Sequence, residues 1–180
     1  MTPREVAEYT ELRSTIRQRG SQRVWVFFST LVAWAAATVA TAALAGLPVA
    51  TLLPLLLLAA GFEAILQLHT GVERIGRYLQ VFYDEADQST PGRGWEPVAM
   101  AYGRAHPGGL DSLFTFYLAA ASVLNFVPVL LAEPVKLEVA VVGTVHLAFI
   151  ARLVFCRHKA GKQRAIDLER FEQIKRERSA

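Results

Sequence analysis

A long run without charged residues limits what this chain can fold into. From Val24 to Phe62 there is no Asp, Glu, Lys, Arg or His over 39 residues, and Ser112 to Ala132 form a second such run of 21. A helix rises about 1.5 Å per residue, so roughly 20 apolar residues cross the ~30 Å hydrocarbon layer of a bilayer. The first run is therefore long enough for two membrane-spanning helices and the second for one.

A fourth span is predicted from Val135 to Phe155, although its uncharged centre is shorter. Only 13 residues separate Glu138 from Arg152, and His146 lies among them. Long charged side chains at the two ends can extend towards the membrane surfaces. An antiparallel partner to the third span also returns the chain to its starting side. We therefore expect an all-α membrane protein with four transmembrane helices, arranged as two hairpins, and with cytoplasmic helical extensions.

Two other folds fit the sequence less well. A soluble helical bundle would rarely leave its helices uncharged on every face. A signal peptide ending at residues 43–46 would have a shorter apolar core, and the residues before this core would not include Glu5, Glu8 and Glu11. The membrane fold is the better interpretation.

The basic residues predict the orientation. Of the 19 Lys and Arg residues, 18 lie before the first span, between the second and third spans, or from Arg152 onward, and only Lys136 lies in an opposite loop. Basic loops stay in the cytoplasm. We expect a multi-pass protein of the inner (plasma) membrane with both termini in the cytoplasm.

These features predict five segments. The first begins at Thr2, where the Thr2–Glu5 spacing matches a capping box, and Gly20 predicts its end. The segments are a cytoplasmic amphipathic helix at 1–20, a first transmembrane hairpin at 24–68, a cytoplasmic helix extension and loop at 69–111, a second transmembrane hairpin at 112–155, and a basic, amphipathic cytoplasmic tail at 156–180.

An apolar stripe continues past the predicted inner end of the second span. Its members recur at steps of four and three residues, as in a heptad pattern. They are Leu68, Val72, Ile75, Leu79 and Phe82, called here the heptad stripe. Because no Pro or turn dipeptide interrupts residues 55–85, we expect one long helix. The N-terminal helix, the C-terminal helix or a second subunit must cover the stripe, which makes it a candidate oligomer or partner surface.

Three polar residues fall inside the predicted spans: Glu63, Asn125 and His146. Polar and ionisable groups there are costly and suggest a functional role. The competing explanation is structural. Glu63 would then be partly solvated or would pair with Arg23 or Arg152, and His146 would bond to Asn125, which lies at a similar depth.

A basic cluster follows the fourth span and consists of Arg157, Lys159, Lys162 and Arg164. Its charge is sufficient to explain the orientation of that span. The same residues are candidates for contact with anionic lipid.

The sequence gives little support for a cofactor. His69 and His146 differ in depth by several residues and make a poor axial pair for haem within one chain. Cys156 is the only cysteine, which excludes an intramolecular disulfide and multi-cysteine metal sites. Cys156 and His158 point to different helix faces. We predict no cofactor, no metal and no nucleic-acid partner.

We therefore expect a non-catalytic assembly, anchoring or regulatory subunit. Its partners would be the lipid bilayer and either a second copy or another membrane protein. The alternative is a small oligomeric ion or proton channel or transporter, with a path lined by Glu63, Asn125 and His146. An enzyme is the least favoured class, because it would need a bound cofactor.

Overall fold

The computed structural model describes residues 1–41, 47–84, 98–99, 101–102, 110–131 and 135–179. Within these ranges the chain is almost entirely helical and has no β-strand. The helices are α1 (Pro3–Thr41), α2 (Leu52–Leu79), α3 (Leu110–Leu131) and α4 (Lys136–Ser179). A 3-10 turn at Pro48–Thr51 precedes α2, and a π turn at Gln80–Asp84 follows it.

Among the described residues, four helices are long and apolar enough to cross a membrane. The predicted all-α class with four helices of spanning length is therefore confirmed. The long uninterrupted helix expected across residues 55–85 is also present up to the π turn. The segment at 43–46 lies outside the described residues, and so does most of the loop expected at 86–111. Val98, Ala99, Ala101 and Tyr102 are described there and are helical.

Helix α1 begins at the predicted capping box. The Thr2 backbone N–H donates to Glu5 Oε2 at 2.6 Å, and the Glu5 N–H donates to Thr2 Oγ1 at 3.3 Å. The prediction that this helix ends at Gly20 is wrong, because α1 continues unbroken to Thr41. A glycine inside a helix costs only about 1 kcal/mol relative to alanine. The apolar residues that follow Gly20 favour continuing the helix more than this glycine favours ending it.

The chain divides into two compact units. The polar unit comprises Met1–Gln22, Gln67–Gly108 and His158–Ala180. The apolar unit comprises Arg23–Leu66 and Gly109–Arg157. Helices α1, α2 and α4 each contribute residues to both units.

Aromatic and aliphatic side chains from all four helices form the core of the apolar unit. Phe27 of α1 stacks on Phe114 of α3 with ring centroids 4.3 Å apart. Helices α1 and α2 are in close contact where Thr30 meets Gly61. A Cβ atom added to Gly61 would overlap the Thr30 side chain, so only glycine fits this crossing. Cys156 is also buried in this core.

Three helical segments share the core of the polar unit. Tyr9 of α1 contacts Tyr83 at a centroid distance of 5.5 Å. Phe171 of α4 contacts Tyr78 at 5.8 Å and Phe82 at 6.5 Å. Polar contacts reinforce this packing, because the Tyr78 hydroxyl donates to Glu8 Oε1 at 2.8 Å in α1. The three segments are thus joined by side-chain contacts as well as by shared burial.

Candidate functional site

Asn125 and His146 form a buried polar contact in the apolar unit. The two residues are only 1% and 3% exposed, respectively. Asn125 Nδ2 lies 3.1 Å from His146 Nε2. The hydrogen bond expected between them from their predicted depths is therefore confirmed.

The partners of this pair determine where its hydrogens lie. Asn125 Nδ2 donates to the Thr51 carbonyl oxygen at 2.7 Å, and His146 Nδ1 lies 2.9 Å from the Val142 carbonyl oxygen. A carbonyl oxygen can only accept, so Nδ1 carries the hydrogen of a neutral imidazole and Nε2 accepts the second amide hydrogen of Asn125. Both amide hydrogens and both ring nitrogens are thus engaged. The arrangement ties α3 to α4 and to the residue before α2.

Ser122 lies one turn before Asn125 and is fully buried. Its hydroxyl oxygen has no hydrogen-bond partner among the described residues. Ser, His and Asn are residue types found together in nucleophilic catalysis, which requires a histidine nitrogen within reach of the hydroxyl proton. Both nitrogens of His146 already have other partners. The contacts therefore do not make Ser122 an activated nucleophile.

Glu63 pairs with Arg152, one of the two arginines weighed from the sequence. Arg152 Nε donates to Glu63 Oε1 at 2.9 Å, and Nη2 donates to Oε2 at 3.1 Å. Two parallel bonds of this kind are the strong form of an arginine–carboxylate contact. The other arginine, Arg23, lies over the ring of Phe114 at 5.7 Å. The Glu63 and Arg152 side chains remain 43% and 48% exposed.

The structure does not bring Glu63 to the amide–imidazole pair. Arg152 follows His146 by six residues, about 9 Å along α4, and Glu63 follows Thr51 by twelve residues, about 18 Å along α2. Leu58, between them on α2, is completely buried. The three residues predicted as one polar site therefore form two separate contacts.

The chain's own C-terminal helix covers part of the heptad stripe. Leu79 is fully buried, and Leu68, Val72 and Ile75 are half-buried. Phe82 contacts Phe171 of α4. Three segments were considered as the partner of this stripe, and the C-terminal helix is thus one that contacts it.

The four basic residues considered for lipid contact have different surroundings. Arg164 Nε lies 2.8 Å from Glu73 Oε2, and Arg157 Nη2 donates to Ser112 Oγ at 2.8 Å. Lys159 and Lys162 are exposed. The two arginines are therefore engaged by side chains of their own units.

The polar unit contains an ionic network, of which the sequence predicts only the Glu73–Arg77 pair. Glu73 lies between Arg77 of α2, at 3.9 Å, and Arg164 of α4. Arg74 lies 3.9 Å from Asp167, a buried carboxylate that also accepts a 2.8 Å hydrogen bond from Gln163. The Glu73–Arg77 spacing of four residues was visible in the sequence. The pairing across two helices was not, because it depends on their relative rotation.

Across the part of the chain that the structure describes, no group of three or more His, Cys, Asp or Glu side chains is arranged to hold a metal ion. No protein-family model, curated protein or solved structure matches the chain. A functional proposal therefore depends on the contacts described above.

Proposed function

We propose that this chain is a multi-pass membrane protein without catalytic activity that serves as an assembly, anchoring or regulatory subunit. Four helices of spanning length support a location in a bilayer. The distribution of basic residues favours the inner (plasma) membrane, with both termini in the cytoplasm. The proposal rests above all on one observation: Glu63, Asn125 and His146 of the apolar unit are each engaged by partners within that unit.

This engagement argues for structural roles. His146 would have to break its bond to Asn125 or to Val142 before either ring nitrogen could accept a proton or bind an ion. Glu63 would likewise have to leave the two nitrogen atoms of Arg152. Groups that transfer protons are held ready to exchange them. Groups held in hydrogen bonds between helices instead determine how the helices pack.

The exposed surface of the apolar unit suits an anchoring role. Trp25, Val39 and Leu131 are each more than 70% exposed. Exposed apolar surfaces on soluble proteins are rarely so extensive, whereas lipid tails cover them at no cost. The polar unit, which carries charged helices, would then be the part available to a cytoplasmic partner. Its C-terminal helix exposes Ile166 and Ile174, two turns apart on one face.

The channel or transporter alternative has less support. It requires Glu63, Asn125 and His146 to line one path. Glu63 is separated from the other two along both helices, and buried leucines occupy the intervening core.

Flux and stability measurements separate the two functions. The purified protein in liposomes should pass no protons or ions over a range of voltages, and His146→Ala should lower its melting temperature. Thr144→Val is a matched control, because Thr144 is exposed on the same helix and its hydroxyl bonds only within that helix. Flux in the wild type that His146→Ala abolishes without lowering the melting temperature would overturn the proposal.

Photo-crosslinking tests the assembly role. A crosslinking amino acid at Ile166 or Ile174 should trap one specific protein in native membranes, whereas the same group at Arg176, exposed on another face of α4, should not. The trapped protein should co-purify with the unmodified chain in a fixed ratio. If neither site gives an adduct and the chain purifies alone, the assembly role is wrong.

A further inference from the structure

The Glu63–Arg152 pair marks an exposed face of the apolar unit that differs from the rest of its surface. Ala60 lies one turn before Glu63 on α2, Ala64 directly follows Glu63, and both alanines are exposed. On α4, Ala148 lies one turn before Arg152, Ala151 directly precedes it, and both alanines are exposed. These six residues are called here the ion-pair face.

Helices α2 and α4 present this face side by side. Phe62 contacts Phe149, and Glu63, the next residue, binds Arg152. The contacts advance in the same direction along both helices, so the helices run parallel here. The four alanines therefore lie at the levels of the ion pair and of the turn before it. Exposed positions of α3, in contrast, carry bulky residues such as Phe116.

The half-exposed ion pair includes Arg152, at the end of the predicted fourth span, so it meets water, lipid headgroups or another helix rather than lipid tails. Charged side chains within membrane-spanning segments almost always face other helices or water. Small residues on neighbouring positions allow another helix to approach closely. The charges and the alanines thus both suggest that a further helix covers this face.

We propose that the ion-pair face is the interface between two copies of this chain related by a twofold axis. The inference rests on the proposed assembly role and identifies its partner. The face carries one carboxylate beside one guanidinium, so a twofold rotation brings each Glu63 towards the Arg152 of the other copy. This charge complementarity with itself favours a second copy over a different protein or a lipid headgroup.

The hydrogen-bonding capacity of Arg152 fits the same arrangement. Its Nε and Nη2 atoms donate to Glu63. A guanidinium has five N–H groups, so three, two on Nη1 and one on Nη2, are not used by these two bonds and can donate to a second carboxylate. In the dimer each guanidinium bridges two carboxylates and each carboxylate meets two guanidinium groups. The four charges then neutralise one another away from lipid.

A mixed charge-reversal experiment tests the interface. The Glu63→Arg chain carries two guanidinium groups on the face, and the Arg152→Glu chain carries two carboxylates. Energy transfer between donor- and acceptor-labelled copies in liposomes should show a wild-type dimer and at least a tenfold weaker dimer for either variant alone. Mixing the two variants should restore energy transfer, because the faces are again complementary.

A second set of variants leaves the ion pair intact. Ala60→Leu and Ala148→Leu fill the face with bulk and should weaken the dimer at least tenfold without changing the melting temperature of the monomer. Ala36→Leu is the matched control, since Ala36 is exposed on α1. It should leave energy transfer unchanged.

Three results would overturn the inference. The wild type could remain monomeric at every protein-to-lipid ratio, or the leucine variants could dimerise as well as the wild type. In a third case the mixed variants would fail to associate although each is folded, which would assign the face to lipid headgroups or to a different protein. Crosslinking at Ile174 tests the polar unit alone. An adduct there in a protein that does not dimerise would refute the ion-pair face and leave the assembly role in place.

Discussion

Replacing Asn125 with alanine should destabilise the apolar unit by about 2 kcal/mol. The substitution removes the 2.7 Å bond to the Thr51 carbonyl and the 3.1 Å bond to His146. Polar contacts between membrane helices average about 0.6 kcal/mol each, with a maximum near 1.7. Leaving a buried acceptor on His146 adds a desolvation cost of roughly 1 kcal/mol or more. These terms together give the expected loss.

The measurement is a double-mutant cycle of Asn125→Ala and His146→Ala. Unfolding by increasing SDS in mixed micelles, followed by circular dichroism, gives the free energy of unfolding for each chain. We expect a coupling energy of about 1 kcal/mol, within the range for residues in one network. The double variant should therefore lose clearly less than the two single losses combined.

The control for this cycle is Thr144→Val, whose exposed hydroxyl bonds only to the Ala140 carbonyl. It should change the free energy of unfolding by less than about 0.5 kcal/mol. If Asn125→Ala has as little effect as this control, or if the two losses add fully, the buried contact does not stabilise the unit and its structural role is refuted.

Three further substitutions test the packing. Gly61→Ala should cost about 1–3 kcal/mol through overpacking against Thr30. Combining it with Thr30→Gly should cost less than the two changes separately, as SDS unfolding would show; full additivity would contradict the close approach. Tyr78→Phe should cost about 0.5 kcal/mol by losing the exposed bond to Glu8; a pulsed-proteolysis midpoint that moves by more would contradict this value. Phe171→Ala should cost about 1–3 kcal/mol by removing two ring contacts, and unchanged proteolysis of the polar unit would refute its place in that core.

The features that could be predicted from the sequence are those that depend on the position of a residue along a helix. The two charge-free runs predicted three helices of spanning length, and the charged residues Glu138 and Arg152 marked the ends of the fourth. The contact between Asn125 and His146 was predicted from their similar depths, counted from the turn near Pro134. Arg23 and Arg152 were predicted as possible partners of Glu63 because charged residues at the same depth of a membrane tend to pair with one another.

The remaining features depend on information that residue types do not carry. The Thr51 group that binds Asn125 is a backbone carbonyl, which every residue possesses. Gly20 matched a local stop signal, but continued apolar sequence outweighed it. The heptad stripe showed that a surface must be covered, yet its spacing could not indicate which segment supplies the cover.

The rate at which the buried Cys156 is alkylated measures how often the core of the apolar unit opens. As the only thiol in the sequence, it can react with an alkylating reagent without competition from any other cysteine in the chain. Reaction requires the core to open transiently, so the labelling rate reports the free energy of that opening. Each tenfold slowing relative to an accessible thiol corresponds to about 1.4 kcal/mol. Local opening of the apolar unit can thus be measured on the natural sequence, without introducing a further cysteine.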